Sequence, residues 1–435
     1  MSNVEIGLVS LVVIVALIQT GLHVAVALAL VSFVGVFLVR GDMSIAGALL
    51  THAALESVAR YSFGVIPLFV LMGVLVGVSG LGRDIFDVAG QLFRRVRGGL
   101  AIATVCANAV FAAVNGTSIA SASVFTKVAV PELMKQGYTP RFSVGVVAGS
   151  SVLGMLIPPS LLLILYGIIA EVSIGALFTA GIVPGIVLAF FFILLILFLT
   201  TFFPSFTGVP NEPAGQELMS PTVLFVKAAP IAFLVLLVLG GIYGGFFTPT
   251  EAGGVGAMGA LVIAIARRSL SYKQFGKLLI ETGQVTASIT FLIIAAHMYS
   301  RLLALTGVPG AMVGMMEAAG LGFFAVMALY LLVIIILGTI LDSASIMLIL
   351  LPLMVPVVAQ FDVNLIWFGI VTVIAVEVGL LTPPLGVACF VIKANLDDKS
   401  ISLSNIFSGA GPFALVMVVM TALILFVPGI ALLLL

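Results

Sequence analysis

Two short polar interruptions inside long apolar sequence constrain this chain more than any other feature. The first reads Asn115-Gly116-Thr117-Ser118-Ile119-Ala120-Ser121-Ala122-Ser123, and its counterpart reads Gly338-Thr339-Ile340-Leu341-Asp342-Ser343-Ala344-Ser345. Gly116-Thr117 aligns with Gly338-Thr339, and Ser121-Ala122-Ser123 with Ser343-Ala344-Ser345. Each is followed by a Pro-Pro break, Gly154…Pro158-Pro159-Ser160 in one case and Gly379…Thr382-Pro383-Pro384 in the other. Irregular backbone at membrane depth survives only where protein or a water-filled cavity satisfies its N–H and C=O groups. Paired interruptions in two halves of a chain therefore point to a transporter's binding site.

The surrounding composition is that of a membrane protein. Hydrophobic residues make up 62% and charged residues 8%, with a mean hydropathy of +1.38; a soluble protein carries about 25% charged residues. Apolar runs of roughly 20 residues recur, as polytopic helical proteins require, and the alternating segments of a membrane barrel are not seen. A zero net charge gives no sign of an acidic, basic or nucleic-acid partner. Cys106 and Cys389 lie in apolar sequence and read as small core residues. The N-terminus lacks a basic region and a small-residue cleavage site, so the first helix is expected to stay as a membrane span.

Two short spans are expected over 5–39, an interfacial segment at 44–60, a span at 63–80 and an amphipathic stretch from Gly82 to Arg97. A helical hairpin at 98–137 carries the first knot, and a helix broken at Pro158-Pro159 covers 142–169. A last span runs to 202, which closes a first repeat, 1–202. Residues 203–221 read as a linker rich in Pro, Gly, Asn and Glu. The second repeat, 222–435, has spans at 223–243 and 252–266 and an interfacial piece at 270–283. A span at 285–303 and another interfacial piece at 308–319 follow. The second hairpin is expected at 323–359, a broken helix at 364–392 and a final span at 405–433. Each repeat makes an odd number of crossings, so the second must be inverted relative to the first. With the N-terminus outside, the inner loops receive Arg83, Arg94, Arg95, Arg97, Lys135, Arg141, Arg267, Arg268, Lys273, Lys277, Lys393 and Lys399. The outer ones receive Arg40, Arg60 and Arg301, the asymmetry of the positive-inside rule. The hairpin tips are then expected to meet near the midplane from opposite faces.

Hydroxyl, amide and carbonyl oxygens at such tips suit a hard cation such as sodium, and exposed helix N-termini attract an anion. The bland alternative is that Ser and Thr are small interfacial residues for helix packing; duplication of the whole pattern argues against it. Asp342 could equally be a helix N-cap. Glu377, an acid inside an apolar run, reads either as a proton or cation site or as half of a charge pair. Lys127 is open between a substrate counter-ion and a snorkelling side chain, and Arg301 is similarly open. Pro158-Pro159 and Pro383-Pro384 remove backbone donors and free carbonyls. Gly254–Gly259 matches a dinucleotide fingerprint by pattern alone and follows no strand. No nucleophile elbow or HExxH motif argues for an enzyme.

The chain resembles the large membrane subunit of tripartite ATP-independent periplasmic (TRAP) transporters over essentially its full length. The resemblance rests on ordered matches: the Gly116–Ser123 knot with Pro131, Met134 and Gly137-Tyr138; Ile157-Pro158-Pro159-Ser160 with Tyr166-Gly167; and Ser173-Ile174-Gly175 with Phe178 to Gly185. The second half adds Gly241 to Ala252, Leu341-Asp342-Ser343 with Pro352 and Pro356, and Thr382 to Gly386. That resemblance implies an elevator-type secondary transporter driven by a sodium gradient, with both hairpins in a mobile domain. It also implies a bacterial inner-membrane location with both termini periplasmic, a separate small four-helix membrane subunit and a periplasmic substrate-binding protein. The cargo would be an organic acid such as a C4-dicarboxylate or sialic acid. By analogy the tips and breaks become its sites. Substrate contacts are expected from Asn115, Gly116, Thr117, Ser118, Pro159, Ser160, Gly338, Thr339 and Pro384. Sodium contacts are expected from Ser121, Ser123, Gly154, Pro158, Asp342, Ser343, Ser345, Gly379, Thr382 and Pro383. The runner-up is an autonomous sodium/dicarboxylate symporter that needs no binding protein.

Overall fold

Small polar residues at the heads of apolar runs start most of the helices. Thr139, Ser160, Ser173, Ser220 and Ser402 each accept a backbone N–H as N-caps, and Thr248 with Glu251 and Ser271 with Gln274 close capping boxes. Pro140, Pro221 and Pro249 occupy first-turn positions where no N–H is needed. The computed structural model describes residues 1–209 and 218–435, so the centre of the expected linker, 210–217, lies outside the described residues. Among the described residues, seven helices are long and apolar enough to cross a membrane. A bent pair, Pro140–Leu156 with Leu161–Ile169 at 41°, supplies an eighth. The fold is all-helical among the described residues, with one isolated bridge between Tyr138 and Gly208.

Residues 5–39 form two helices, Asn3–Gln19 and Val24–Arg40, followed by Met43–Ala59. The first hairpin consists of an entering arm, Gly99–Asn115, and a returning arm, Ser118–Lys135; the second consists of Phe323–Gly338 and Ser343–Val358. The first broken helix runs Pro140–Ser151, Leu153–Leu156 and Leu161–Ile169, and the second Leu365–Leu380 and Val387–Asn395. One expectation is corrected. The interfacial piece at 270–283 and the span at 285–303 are a single helix, Tyr272–Thr306. Gly283 lies at the join, near Thr282 and Val285, and the helix capped at Ser271 continues through these weak formers.

Each hairpin's returning arm packs on the far half of the other repeat's broken helix. Ser118–Lys135 lies against Val387–Asn395, and Ser343–Val358 against Leu161–Ile169. Pro140–Ser151 also packs closely on Leu403–Phe426. There a Cβ on Gly145 would stand 2.3 Å from the Gly409 carbonyl oxygen, and one on Gly149 2.3 Å from the Phe413 ring. The Gly145/Gly149 spacing is thus a packing motif, whereas a Cβ on Gly310 or Gly314 would meet nothing within 4 Å. Val24–Arg40 and Met43–Ala59 pack instead on the long helix Tyr272–Thr306.

Charged side chains gather at two places. Arg60 lies 2.8 Å from Glu171 and 3.4 Å from Glu56, which also pairs with Arg301. Elsewhere Lys227 and Arg267 converge on Asp84, and Lys227 on Asp87. Arg60 and Arg301 thus meet at Glu56, and Arg267 meets Asp84, the neighbour of Arg83.

Candidate functional site

At the first tip the helix ends on Asn115, and Gly116 turns the chain in the left-handed region at φ +71°. Thr117 then caps the returning arm, its Oγ1 accepting from the Ala120 N–H at 3.3 Å. The Asn115 amide, 5% exposed, folds back over this turn. Its Nδ2 donates to the Thr117 carbonyl at 2.9 Å and stands 3.3 Å from Thr117 Oγ1 and 3.5 Å from Ser121 Oγ. The first break is seated on this tip. The Leu161 N–H donates to the Gly116 carbonyl at 3.0 Å, and a Cβ on Gly154 would stand 2.6 Å from the Thr117 carbonyl oxygen. Ser160 caps the helix beyond the break and donates its hydroxyl to the Met155 carbonyl.

The second tip repeats the backbone arrangement with other side chains. The Leu385 and Gly386 N–H groups donate to the Thr339 carbonyl at 3.1 and 3.4 Å. Gly338 and Gly379 touch backbone to backbone, so that a Cβ on either would lie 2.7 or 2.6 Å from the other's Cα. In both copies a tip carbonyl accepts from an N–H within two residues past Pro-Pro, and the glycine ahead of the break is a point of close approach. Both Pro-Pro bonds are cis.

The structure brings Asn115, Gly116, Thr117, Ser118, Ser121, Gly154, Pro158, Pro159 and Ser160 together. It likewise gathers Gly338, Thr339, Asp342, Ser343, Ser345, Gly379, Thr382, Pro383 and Pro384. Several side chains already have partners. Ser123, further along its arm, donates to Asn395 Oδ1 at 2.9 Å. Asp342 is the N-cap of the returning arm, accepting from the Ser345 N–H at 3.2 Å and from the Ser345 hydroxyl. Thr339 and Thr382 donate to the Ile336 and Val378 carbonyls in their own helices, leaving oxygen lone pairs free.

The two halves are joined through Ser118, whose hydroxyl donates to Glu377 Oε1 at 3.4 Å. Glu377 is 1% exposed and its Oε2 has no partner among the described residues. Lys127 is exposed on its arm, and Arg301 is engaged by Glu56. Sequence reading passed over Asn108 and Asn395. Asn108, fully buried on the first entering arm, donates to Ser150 Oγ at 2.7 Å, and its Oδ1 is unpartnered among the described residues. An amide inside an apolar span is itself a signal of this kind.

The oxygens gathered at the two tips are main-chain carbonyls, hydroxyls, the Asn115 amide and the Asp342 carboxylate, the hard ligands of an oxygen-coordinating site. The profile of the family described as "Tripartite ATP-independent periplasmic transporter, DctM component" matches residues 11–430. The chain is 30% identical to the C4-dicarboxylate TRAP transporter large permease protein DctM of Pseudomonas aeruginosa, over 87% of each chain. It is 29% identical to the isethionate TRAP transporter permease protein DctMQ of Oleidesulfovibrio alaskensis, over 81% of this chain and 55% of that protein. Among solved structures, the Alcanivorax borkumensis YdaH transporter superposes with a TM-score of 0.57 over 89% of each chain. At 14% identity it speaks to the fold alone.

Proposed function

Because the chain belongs to the DctM family, the large membrane subunits of tripartite ATP-independent periplasmic transporters, we propose that it carries a small organic acid across the bacterial inner membrane in symport with sodium. It is a transporter permease rather than an enzyme. The observation that carries the finer reading is the pair of clamps, in which the Gly116 carbonyl accepts from Leu161 and the Thr339 carbonyl from Leu385 and Gly386. Two such sites of irregular backbone, each fastened to a helix break, are what a pair of cation sites around a shared substrate requires.

On this reading Ser121, Gly154 and Pro158 hold one sodium ion with carbonyl and hydroxyl oxygens. Asp342, Ser343, Ser345, Gly379, Thr382 and Pro383 hold another. Ser123, tied to Asn395, is reassigned to joining the first hairpin to the second broken helix. The acid lies between Asn115–Ser118 with Pro159-Ser160 and Gly338-Thr339 with Pro384, where helix N-termini favour its negative charge. The crossed packing of each returning arm on the opposite broken helix supports movement of these four elements as one body, the elevator module. Met43–Ala59 and Tyr272–Thr306 belong to the framework around it. The relatives' cargoes, a C4-dicarboxylate and isethionate, are small organic anions, and we assign this chain a C4-dicarboxylate, sialic acid or similar carboxylate. A separate four-helix small subunit and a periplasmic binding protein complete the system, and both termini face the periplasm.

The test is uptake of candidate acids into proteoliposomes containing the chain and its small partner, with the cognate binding protein outside. Uptake that needs both an inward sodium gradient and the binding protein is the expected result. Equal uptake without the binding protein overturns this reading in favour of an autonomous symporter.

A further inference from the structure

A cavity of about 400 Å³ lies between the segment Val308–Ala318 and both arms of the second hairpin. Met312 and Met316 form one wall, Val326 and Val333 of the entering arm another, and Leu350 and Leu353 of the returning arm the third. No lining residue is charged. The one lining hydroxyl, on Tyr330, is bonded to Thr372 Oγ1 at 3.1 Å. The cavity is in the size range of small-molecule sites, roughly 300–1,000 Å³. It also has an open side: the lining residues Met315 and Leu329 are 53% and 57% exposed on the outer surface, in line with exposed Leu332 and Ile336.

An apolar cavity does not take up water, and leaving one unfilled costs stability in proportion to its volume. Leu329, Val333 and Ile336 belong to an arm with no charged residue between Phe323 and Gly338, so this mouth opens at the depth of the hydrocarbon. What is available there to fill it is lipid. The four methionines around the space, with Met354 beside Met312, Met315 and Met316, suit an irregular, flexible occupant. No basic residue lines it, and Glu317 sits exposed on the neighbouring segment, so nothing favours an anionic headgroup.

We propose that this cavity binds one acyl chain of a membrane phospholipid, recognised by its hydrocarbon and not by its headgroup. The occupant fastens the second hairpin to Val308–Ala318, which itself packs on the first helix, Asn3–Gln19. Binding of this kind stands apart from sodium coupling and from cargo identity, so its test does not depend on transport.

The full-length chain is placed in nanodiscs of plain or acyl-brominated phospholipid. Its sole tryptophan, Trp367, is 3% exposed and bonded to the Ile424 carbonyl. With Trp367→Phe as background, Leu353→Trp puts the fluorophore on a buried wall of the cavity. Bromine in the chain is expected to remove most of that emission, equally in zwitterionic and anionic lipid. Emission that is the same in both lipids, or quenching that requires an anionic headgroup, overturns the proposal. A second measurement needs no introduced fluorophore. Native mass spectrometry of the purified wild type is expected to show one retained phospholipid, lost in Ala319→Trp, which closes the exposed mouth. A wild type that retains none, or an unchanged adduct in Ala319→Trp, overturns it equally.

Discussion

The two hairpin tips share one backbone plan and differ in how they are covered. Around the first, Asn115, Ser118, Ser121, Pro158, Pro159 and Ser160 are all buried, and the Asn115 amide cross-links the turn. Around the second, Pro383, Pro384 and Leu385 are exposed and no amide spans the turn, which an aspartate N-cap holds instead. A buried polar turn must satisfy its own hydrogen bonds, whereas an exposed one can leave carbonyls to water. The first tip is therefore held by its own side chains, and the second is the more open to its surroundings. The largest test of that contrast is chemical access. With Cys106 and Cys389 replaced by alanine, Leu385→Cys is expected to react with a membrane-impermeant maleimide and Ser160→Cys to stay unlabelled. Equal labelling would erase the distinction, and protection of both would mean that the second break faces lipid or a partner subunit.

Glycine substitutions sharpen the comparison energetically. Gly116→Ala meets two penalties, because the residue sits at φ +71° and its new Cβ would lie 2.7 Å from the Pro159 carbonyl oxygen. The left-handed conformation costs about 1–2 kcal/mol and overpacking typically about 1–3 kcal/mol more. Gly338→Ala meets only the second, against the Gly379 Cα at 2.7 Å. Thermal unfolding of the purified variants should rank Gly116→Ala as the more damaging, with uptake falling in both. An equal loss would show that the second tip is as tightly fixed as the first.

Side-chain deletions at the turns should cost less. Asn115→Ala removes the amide cross-link, about 1–3 kcal/mol for a buried partner lost, and the Thr117 carbonyl keeps the Ser121 N–H at 3.3 Å. Asp342→Ala removes an N-cap, about 0.5–2 kcal/mol. Denaturant midpoints measured side by side would reveal whether the amide truly stabilises the first tip more than the cap stabilises the second.

These tips were legible in the sequence because a helix break in apolar sequence is a local event: glycine, proline and small polar residues announce it wherever the chain goes next. The Gly116-Thr117 knot, the Asp342 cap and both Pro-Pro breaks could be read without tertiary structure. The join at Gly283 was misread because a single glycine does not end a helix that continues on both sides of it. Long-range pairings were invisible. Ser118 finds Glu377, Ser123 finds Asn395 and Asn108 finds Ser150 only once the helices pack. Glu377 stood out as a buried acid, but nothing along the chain named its partner.

The smallest expected effect on stability separates structure from ion binding at the second tip. Asparagine caps a helix about as well as aspartate, so Asp342→Asn should leave the returning arm intact and shift stability by only a few tenths of a kcal/mol. It retains an oxygen to accept from the Ser345 N–H while removing the carboxylate charge. If Asp342 serves only as a cap, sodium-dependent thermal stabilisation of the protein will match the wild type. If the carboxylate also faces a sodium ion, that stabilisation will need a higher sodium concentration while the melting temperature without sodium hardly moves. The two outcomes differ in sign of diagnosis although the fold is the same, because a cap needs only an oxygen and a cation gains from a charge.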